Sequence, residues 1–275
     1  MKTLARTLNE QAGEPVLSPW EEFSQFIDVR KGDAITILGA PMSNKSNLLL
    51  NWTVRGSVPA IYGNFDTPQI DMTARALSIL SGEPSGQVLQ DLHTGKYDKY
   101  ADSMMSLWFT EDADCLTPDR DGLTLMDELV VAYDEFWGEG PSVIVLDNLS
   151  DVAAEVHHVE LQRTFKAARD LARRTNTVVF CLHHVRRPGD DEKSDPAAVP
   201  IRLNDGVGAG ERDAATVLGL WKPKYGNGTV LRIAHLKSKR KRAEASGAMY
   251  MDFALDQSRA LVGDVIDGSV LEQGS

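Results

Sequence analysis

The chain has 275 residues, of which 42% are hydrophobic, enough to bury a sizeable core in one large globular domain. A formal net charge of −11 excludes a protein that coats nucleic acid by bulk electrostatics, so any such contact has to be local. Cys115 and Cys181 are too far apart to suggest a disulfide framework or a metal cluster. The first ten residues lack the apolar core of a signal peptide, and no stretch approaches the roughly 20 apolar residues of a membrane span. The expectation is a soluble cytoplasmic protein that does not engage a membrane.

Along the chain, residues 1–30 read as an arm. In it Ser18-Pro19-Trp20-Glu21 has the form of a capping box opening a short helix, with Trp20, Phe23 and Ile27 on its apolar face. That face covers the arm's own domain or, in an oligomer, a neighbour. Four apolar, β-branched runs follow: Ala34 to Leu38, Ala60 to Tyr62, Val143 to Leu146 and Thr177 to Leu182. They alternate with helical patterns over Ser46 to Val54, Ile70 to Ser81, Leu123 to Trp137 and Glu160 to Arg174. The alternation predicts an α/β fold with a mostly parallel sheet flanked by helices. Between Arg186 and Gly210 lies a long polar segment with three prolines, predicted to be irregular. After it, Thr216 to Trp221, Thr229 to Leu236 and Ala248 to Phe253 read as strands with short connections, the first pair joined by a hairpin turn at Tyr225-Gly226-Asn227-Gly228. They extend the sheet with antiparallel strands at its C-terminal end. The core is placed at residues 31–262, and 263–275 read as a tail.

The chemistry is concentrated where predicted strands end. Gly39-Ala40-Pro41-Met42-Ser43-Asn44-Lys45-Ser46 fits the phosphate-binding loop pattern at its first Gly, its Lys and its Ser, with Asn44 where the second Gly belongs. A strand precedes it and a helix opening at Asn47 follows, so backbone N–H groups and a helix N-terminus converge on an anion. Residues 39–47 would hold nucleotide phosphates, Lys45 the β/γ-phosphates and Ser46 a Mg²⁺ ion. Asn tolerates the left-handed backbone this position needs, although its side chain crowds the loop. Asp147 ends the strand Val143 to Leu146 and is a second Mg²⁺ candidate; Asp66 follows the strand that begins at Ala60.

These motifs, with Leu182-His183-His184-Val185-Arg186-Arg187 and Val230 to Lys239, resemble in order the RecA-fold hexameric helicases: DnaB-type replicative helicases, the helicase half of phage primase-helicases, and plasmid RepA. The resemblance spans roughly residues 18 to 262. It implies a RecA-like P-loop ATPase, encoded by a phage or plasmid and acting in the host cytoplasm. In that family the acid at the place of Asp66 is a Glu that orients the attacking water. The resemblance makes His184 the γ-phosphate sensor, with His183 a buried neighbour. Lys237 and Lys239, or Arg240 one residue on, match the cations that reach the adjacent subunit's nucleotide. Ile201 to Gly210 resembles the Gly-rich segment after the central-channel loop, with Val207 in place of an Arg. Arg186, Arg187 and Lys193 then fall on that loop as DNA contacts, Arg202 follows it as another, and Lys241 and Arg242, also DNA contacts, complete five cations in the six positions 237–242. Read alone, such a run is a solvated loop.

The function implied is an ATP- and Mg²⁺-dependent helicase or translocase on single-stranded DNA, a hexameric ring working with primase or other replication proteins. Asn44, Asp66, Val207 and Lys239 depart from the family pattern and keep a second reading open: a non-motor accessory, loader or recombination mediator that binds ATP with weak or no unwinding. A third is a signalling ATPase of the same fold that meets no nucleic acid.

Overall fold

The computed structural model describes residues 13–65, 67–110, 121–152, 158–185, 195–206 and 213–268. The four apolar runs form β1 (Ala34–Gly39), β2 (Ala60–Asn64), β4 (Val143–Asp147) and β5 (Val178–His184). The later runs form β6 (Thr216–Trp221), β7 (Val230–Ser238) and β8 (Tyr250–Asp256). Two further strands, β3 (Leu107–Phe109) and β9 (Leu261–Gly268), complete a sheet in the order β3-β2-β4-β5-β1-β6-β7-β8-β9. Pairing is parallel from β3 through β6 and antiparallel from there to β9. Both strands added by the structure lie at edges, where a long apolar run is not needed. β3 is three residues long, and β9 interrupts its apolar positions with Gly263, Asp264 and Asp267 and slips register against β8. The sheet thus runs past residue 262, where the sequence suggested a tail.

Alternation in the parallel strands feeds two apolar layers. Ile35, Ile37, Val143, Val145 and Phe180 pack with Leu48 and Trp52 of α2 (Lys45–Arg55) and Met72 of α3 (Gln69–Ser81). Leu38, Ile144, Leu146 and Cys181 pack on the other face with Met126 of α6 (Gly122–Trp137) and Phe165 and Leu171 of α8 (His158–Thr175). The strands are buried on both faces, which is why they read as continuous apolar runs. Short helices α4 (Ser85–Asp91), α5 (Ala101–Met104) and α7 (Leu149–Val152) fill the connections. Helix ends follow local chemistry: the Asp121 carboxylate accepts from Thr124 N at 2.8 Å to cap α6, and Gly138 closes it in a left-handed conformation. No helix among the described residues is long and apolar enough to cross a membrane.

The arm helix α1 (Glu21–Phe26) starts later than the capping box suggests. Trp20 is the N-cap, without a side-chain cap, while Ser18 Oγ meets Ser24 Oγ at 2.9 Å and donates to the Trp20 carbonyl at 2.7 Å. The Ser18–Ser24 contact knits the turn instead. The apolar face packs on its own chain. The Trp20 ring lies edge-on to Phe253 at 5.3 Å and its indole N–H donates to the Gly263 carbonyl at 2.6 Å; Phe23 contacts Trp52 and Phe253. Trp20 is 3% exposed. Trp20→Ala is expected to cost about 3–5 kcal/mol in urea unfolding, because it empties a filled site and orphans a carbonyl; a cost under about 1 kcal/mol would mean that α1 adds little to the fold.

Beneath α1, the His235 ring of β7 faces Phe26 at 5.3 Å, and neither ring nitrogen has a hydrogen-bond partner. Burial, and secondarily the Lys241 ammonium, lower its pKa to about 4. The unfolded chain therefore takes up this proton first, near pH 6.5, and stability is lost as pH falls below that value toward 4. The expected loss from this group is about 2 kcal/mol between about pH 7.5 and about pH 5. His235→Phe is expected to flatten that part of the stability profile measured by urea titration, and an unchanged slope would reject the assignment.

Candidate nucleotide site

Parallel pairing brings the strand ends to one edge. Gly39 lies beside His184, and Asn64 beside Asp147, with β5 between β1 and β4. Ligands bind open parallel sheets outside this carboxyl edge.

The turn from β1 to α2 is built by left-handed residues. Met42 (φ 61°) and Asn44 (φ 65°) both adopt that conformation, and Asn44 is the N-cap of α2. Its side chain does not cap the helix; Oδ1 accepts from Asn47 Nδ2 at 3.1 Å, which turns the amide aside. Gly39 is required by close approach, since a Cβ there would lie 2.3 Å from Ser43 Oγ and 3.1 Å from the Leu220 carbonyl.

Lys45 is 4% exposed, and its Nζ donates to the carbonyls of Gly39 at 3.0 Å and Ala40 at 3.1 Å. It also lies 3.0 Å from His184 Nδ1. An ammonium only donates, so Nδ1 accepts and His184 carries its proton on Nε2. The neighbouring His183 is half-buried, its Nδ1 enclosed without a partner. Burial first, with the Lys45 ammonium adding to it, lowers its pKa to about 4, so it stays neutral near pH 7. The sequence reading makes His183 a satisfied buried neighbour; in the structure it is half-buried, like His184, and its Nδ1 lacks a partner.

Lys45, Ser46, Asp147 and His184 open on one cleft of about 430 Å³. Its opposite wall is formed by Thr67, Arg75, Ser85, Gln257 and Ala260, to which sequence reasoning assigned no role. Two signals pointed there. Arg75 is the one cation in α3, and Asn51 is a polar residue in the apolar stretch of α2. Asn51 is fully buried, and its amide donates to the Ala260 carbonyl at 2.7 Å, fixing the β8–β9 turn over the cleft. Gln257 and Ser85 gave no sequence signal.

The cleft fits a nucleotide triphosphate with Mg²⁺. Ser43 Oγ and Asn47 Oδ1 are buried polar atoms without a partner at the loop, and the loop leads directly into the N-terminus of α2. Ser46 and Asp147 form a hydroxyl-plus-carboxylate set. Mg²⁺ is held in this way, by one or two protein oxygens with phosphate and water completing the shell. Asp66 lies outside the described residues, as do Arg186, Arg187, Lys193 and Val207.

The late cations are not brought to this cleft. Ser238 pairs with Thr216 at the start of β6, which places 237–242 at the opposite, amino edge of the sheet. The run is tied down at several points, although Lys239, Arg240 and Arg242 stay exposed. The Arg240 guanidinium donates to both oxygens of Asp33, at 2.6 and 2.9 Å, and Lys241 Nζ donates to the Gln25 carbonyl at the end of α1. Lys239 Nζ reaches the Asp213 carbonyl at 3.2 Å. Arg240 and Lys241 are thus both engaged within the chain. Arg202 is exposed and borders a second cavity, of about 400 Å³, beside Ala40 and Val185.

A scan against protein-family models returns no match. In sequence the chain is similar to the Gene 65 protein of Mycobacterium phage L5, 26% identical over 267 residues, covering 93% of this chain and 92% of that protein. It is also similar to the Gene 65 protein of Mycobacterium phage D29, 25% identical over 226 residues, covering 78% and 92%. In structure it is similar to a solved ATPase domain, with a TM-score of 0.73 at 11% identity and 94% of each chain covered. A DnaB-like replicative helicase, solved in work on its interactions with primase, gives the same TM-score and identity over 94% of this chain and 65% of that one. The fold is that of the RecA-like ATPase domain of DnaB-type replicative helicases, with phage gene products as its sequence relatives.

Proposed function

We propose that the chain is a Mg²⁺-dependent ATPase of the replicative-helicase type, translocating on single-stranded DNA as a ring of identical copies with ATP at the subunit interfaces. The observation that carries the reading is the convergence of Lys45, Ser46, Asp147 and His184 on one cleft whose loop backbone suits phosphate. In this reading Lys45 leaves the Gly39 and Ala40 carbonyls and His184 for the β/γ-phosphates. Freed from the ammonium, the His184 imidazole reports the γ-phosphate to the segment that follows β5. Ser46 and Asp147 hold Mg²⁺, which supplies charge neutralisation between the phosphates. Asp66 orients the attacking water from a side chain one methylene shorter than Glu, so turnover is slow. Lys237 and Lys239 serve the adjacent copy's nucleotide. DNA contacts come from Arg186, Arg187, Lys193 and Arg202, with Arg242 at the other edge. Primase or another replication protein is the natural partner of such a ring.

The test is ATP hydrolysis by the full chain with and without Mg²⁺ and single-stranded DNA. Wild-type turnover should need Mg²⁺ and rise with DNA, and Lys45→Ala should fall to the no-enzyme background. Equal rates for the two proteins would reject the enzyme reading. The engagement of Arg240 by Asp33 leaves a lysine to meet the neighbour's nucleotide, and lysine is a poorer transition-state clamp than arginine. That favours the second reading, an ATP-binding loader or accessory, enough to test: ATPase activity without strand displacement on a forked duplex would select it.

The left-handed backbone at position 44 gives a separate expectation. Asn44→Val should destabilise the chain by about 1–2 kcal/mol in urea, while Asn44→Gly should keep stability within about 1 kcal/mol. Because the Asn44 amide is already turned aside onto Asn47, Asn44→Gly should leave binding of a fluorescent ATP analogue unchanged. Weaker binding by the glycine variant would show that the Asn44–Asn47 contact serves the nucleotide.

A further inference from the structure

The turn after β7 is held from three sides. Arg240 makes its two-pronged pair with Asp33, which is 8% exposed and precedes β1, and an Asp28 oxygen lies 3.9 Å from Nε of the same guanidinium. Lys241 donates to the carbonyl end of α1. The Lys239 N–H donates to the Ala215 carbonyl at 2.9 Å, ahead of β6. Ser238 Oγ accepts from the N–H groups of Arg240 at 3.1 Å and Lys241 at 3.0 Å, so the chain bends sharply just beyond Lys239. Five cations in six residues repel one another and would otherwise spread into solvent. A guanidinium fork on a buried carboxylate is the strongest fixing contact available to such a turn, and it leaves the Lys239 side chain exposed.

We infer that Arg240 is a positioning residue: its pair with Asp33 holds Lys237 and Lys239 in the orientation in which they meet the nucleotide bound by an adjacent copy. The inference rests on the ring ATPase proposed above and assigns Arg240 a part different from that of the transition-state cation. It also means that one strand serves two sites. β1 carries Asp33 at its start and Gly39 of the phosphate loop at its end, about 17–20 Å apart along an extended strand.

The experiment uses the full chain and the variants Arg240→Gln, Asp33→Asn and Lys45→Ala, with steady-state ATPase assays on single-stranded DNA, ATP-analogue titration and urea unfolding. Arg240→Gln and Asp33→Asn should each lower kcat about tenfold or more with little change in KM, because the reacting phosphate loses a positioned cation while the phosphate loop is intact. An equimolar mixture of Arg240→Gln, impaired alone, and Lys45→Ala, inactive alone, should turn over faster than the sum of the two. At mixed interfaces the intact loop of the first meets the intact cations of the second. Wild-type kcat in Asp33→Asn would overturn the inference and return Arg240 to the part of the cation itself. No excess over that sum in the mixture would also overturn it, since the pair would then act only on its own chain's loop. Should Arg240→Gln not fold, Asp33→Asn takes its place in the mixture. A wild-type chain without ATPase activity would overturn the parent reading as well, whereas full activity in either pair variant alongside an active wild type overturns this one alone.

Discussion

The register in which β1 pairs with β5 and β6 sets everything at the cleft. Ile35 and Ile37 point into one apolar layer and Leu38 into the other, so a slip of one residue would turn each of them to the wrong face. That register fixes Gly39 beside His184 and opposite Leu220. From there only the turn through Asn44 separates the strand end from Lys45. The lysine is therefore delivered to the end of β5 by backbone geometry, and its contact with the imidazole follows from strand pairing rather than from any local sequence preference.

A buried ammonium is costly unless dipoles surround it. Two loop carbonyls and a neutral imidazole supply them here, and neutrality is aided by His183, whose burial keeps a second positive charge away from the same strand end. These contacts hold Lys45 at the loop, where a phosphate would offer its ammonium a charged acceptor in place of the two carbonyls. Ser43 Oγ and Asn47 Oδ1 add unused hydrogen-bonding capacity to the same loop. Unsatisfied polar atoms are thus tolerated at an edge where a ligand would repair them.

Much of this was legible in the sequence because each central strand is a continuous apolar run that stops at a chemically distinctive residue. β1, β2, β4 and β5 were readable to within one or two residues, and so were their terminal Gly39, Asp147 and His184. What was not legible depends on tertiary contact. Ser18 looks like a helix cap by spacing, yet Ser24 claims its hydroxyl. β9 carries two aspartates and two glycines, and pairing with β8 makes it a strand. The far wall of the cleft is assembled largely by the β8–β9 turn and the start of α4, and for that turn Asn51, a polar residue among leucines, was the hint that something had to be held there.

The cation run marks the limit of composition most sharply. Counted as charge, residues 237–242 form a basic patch on an acidic protein and suggest nucleic acid. Placed in the fold, Arg240 answers a buried carboxylate at the foot of β1 and Lys241 answers the carbonyl end of α1. Both contacts serve architecture, joining the arm, the central strand and the antiparallel extension at one corner of the sheet. Charge used in this way is no longer available to attract a polyanion, so the attraction left to the segment is smaller than its sequence suggests. What the corner gains is direction. A lysine on a fixed turn can be aimed, and an aimed point charge does more for a developing phosphate charge than a larger number of mobile ones.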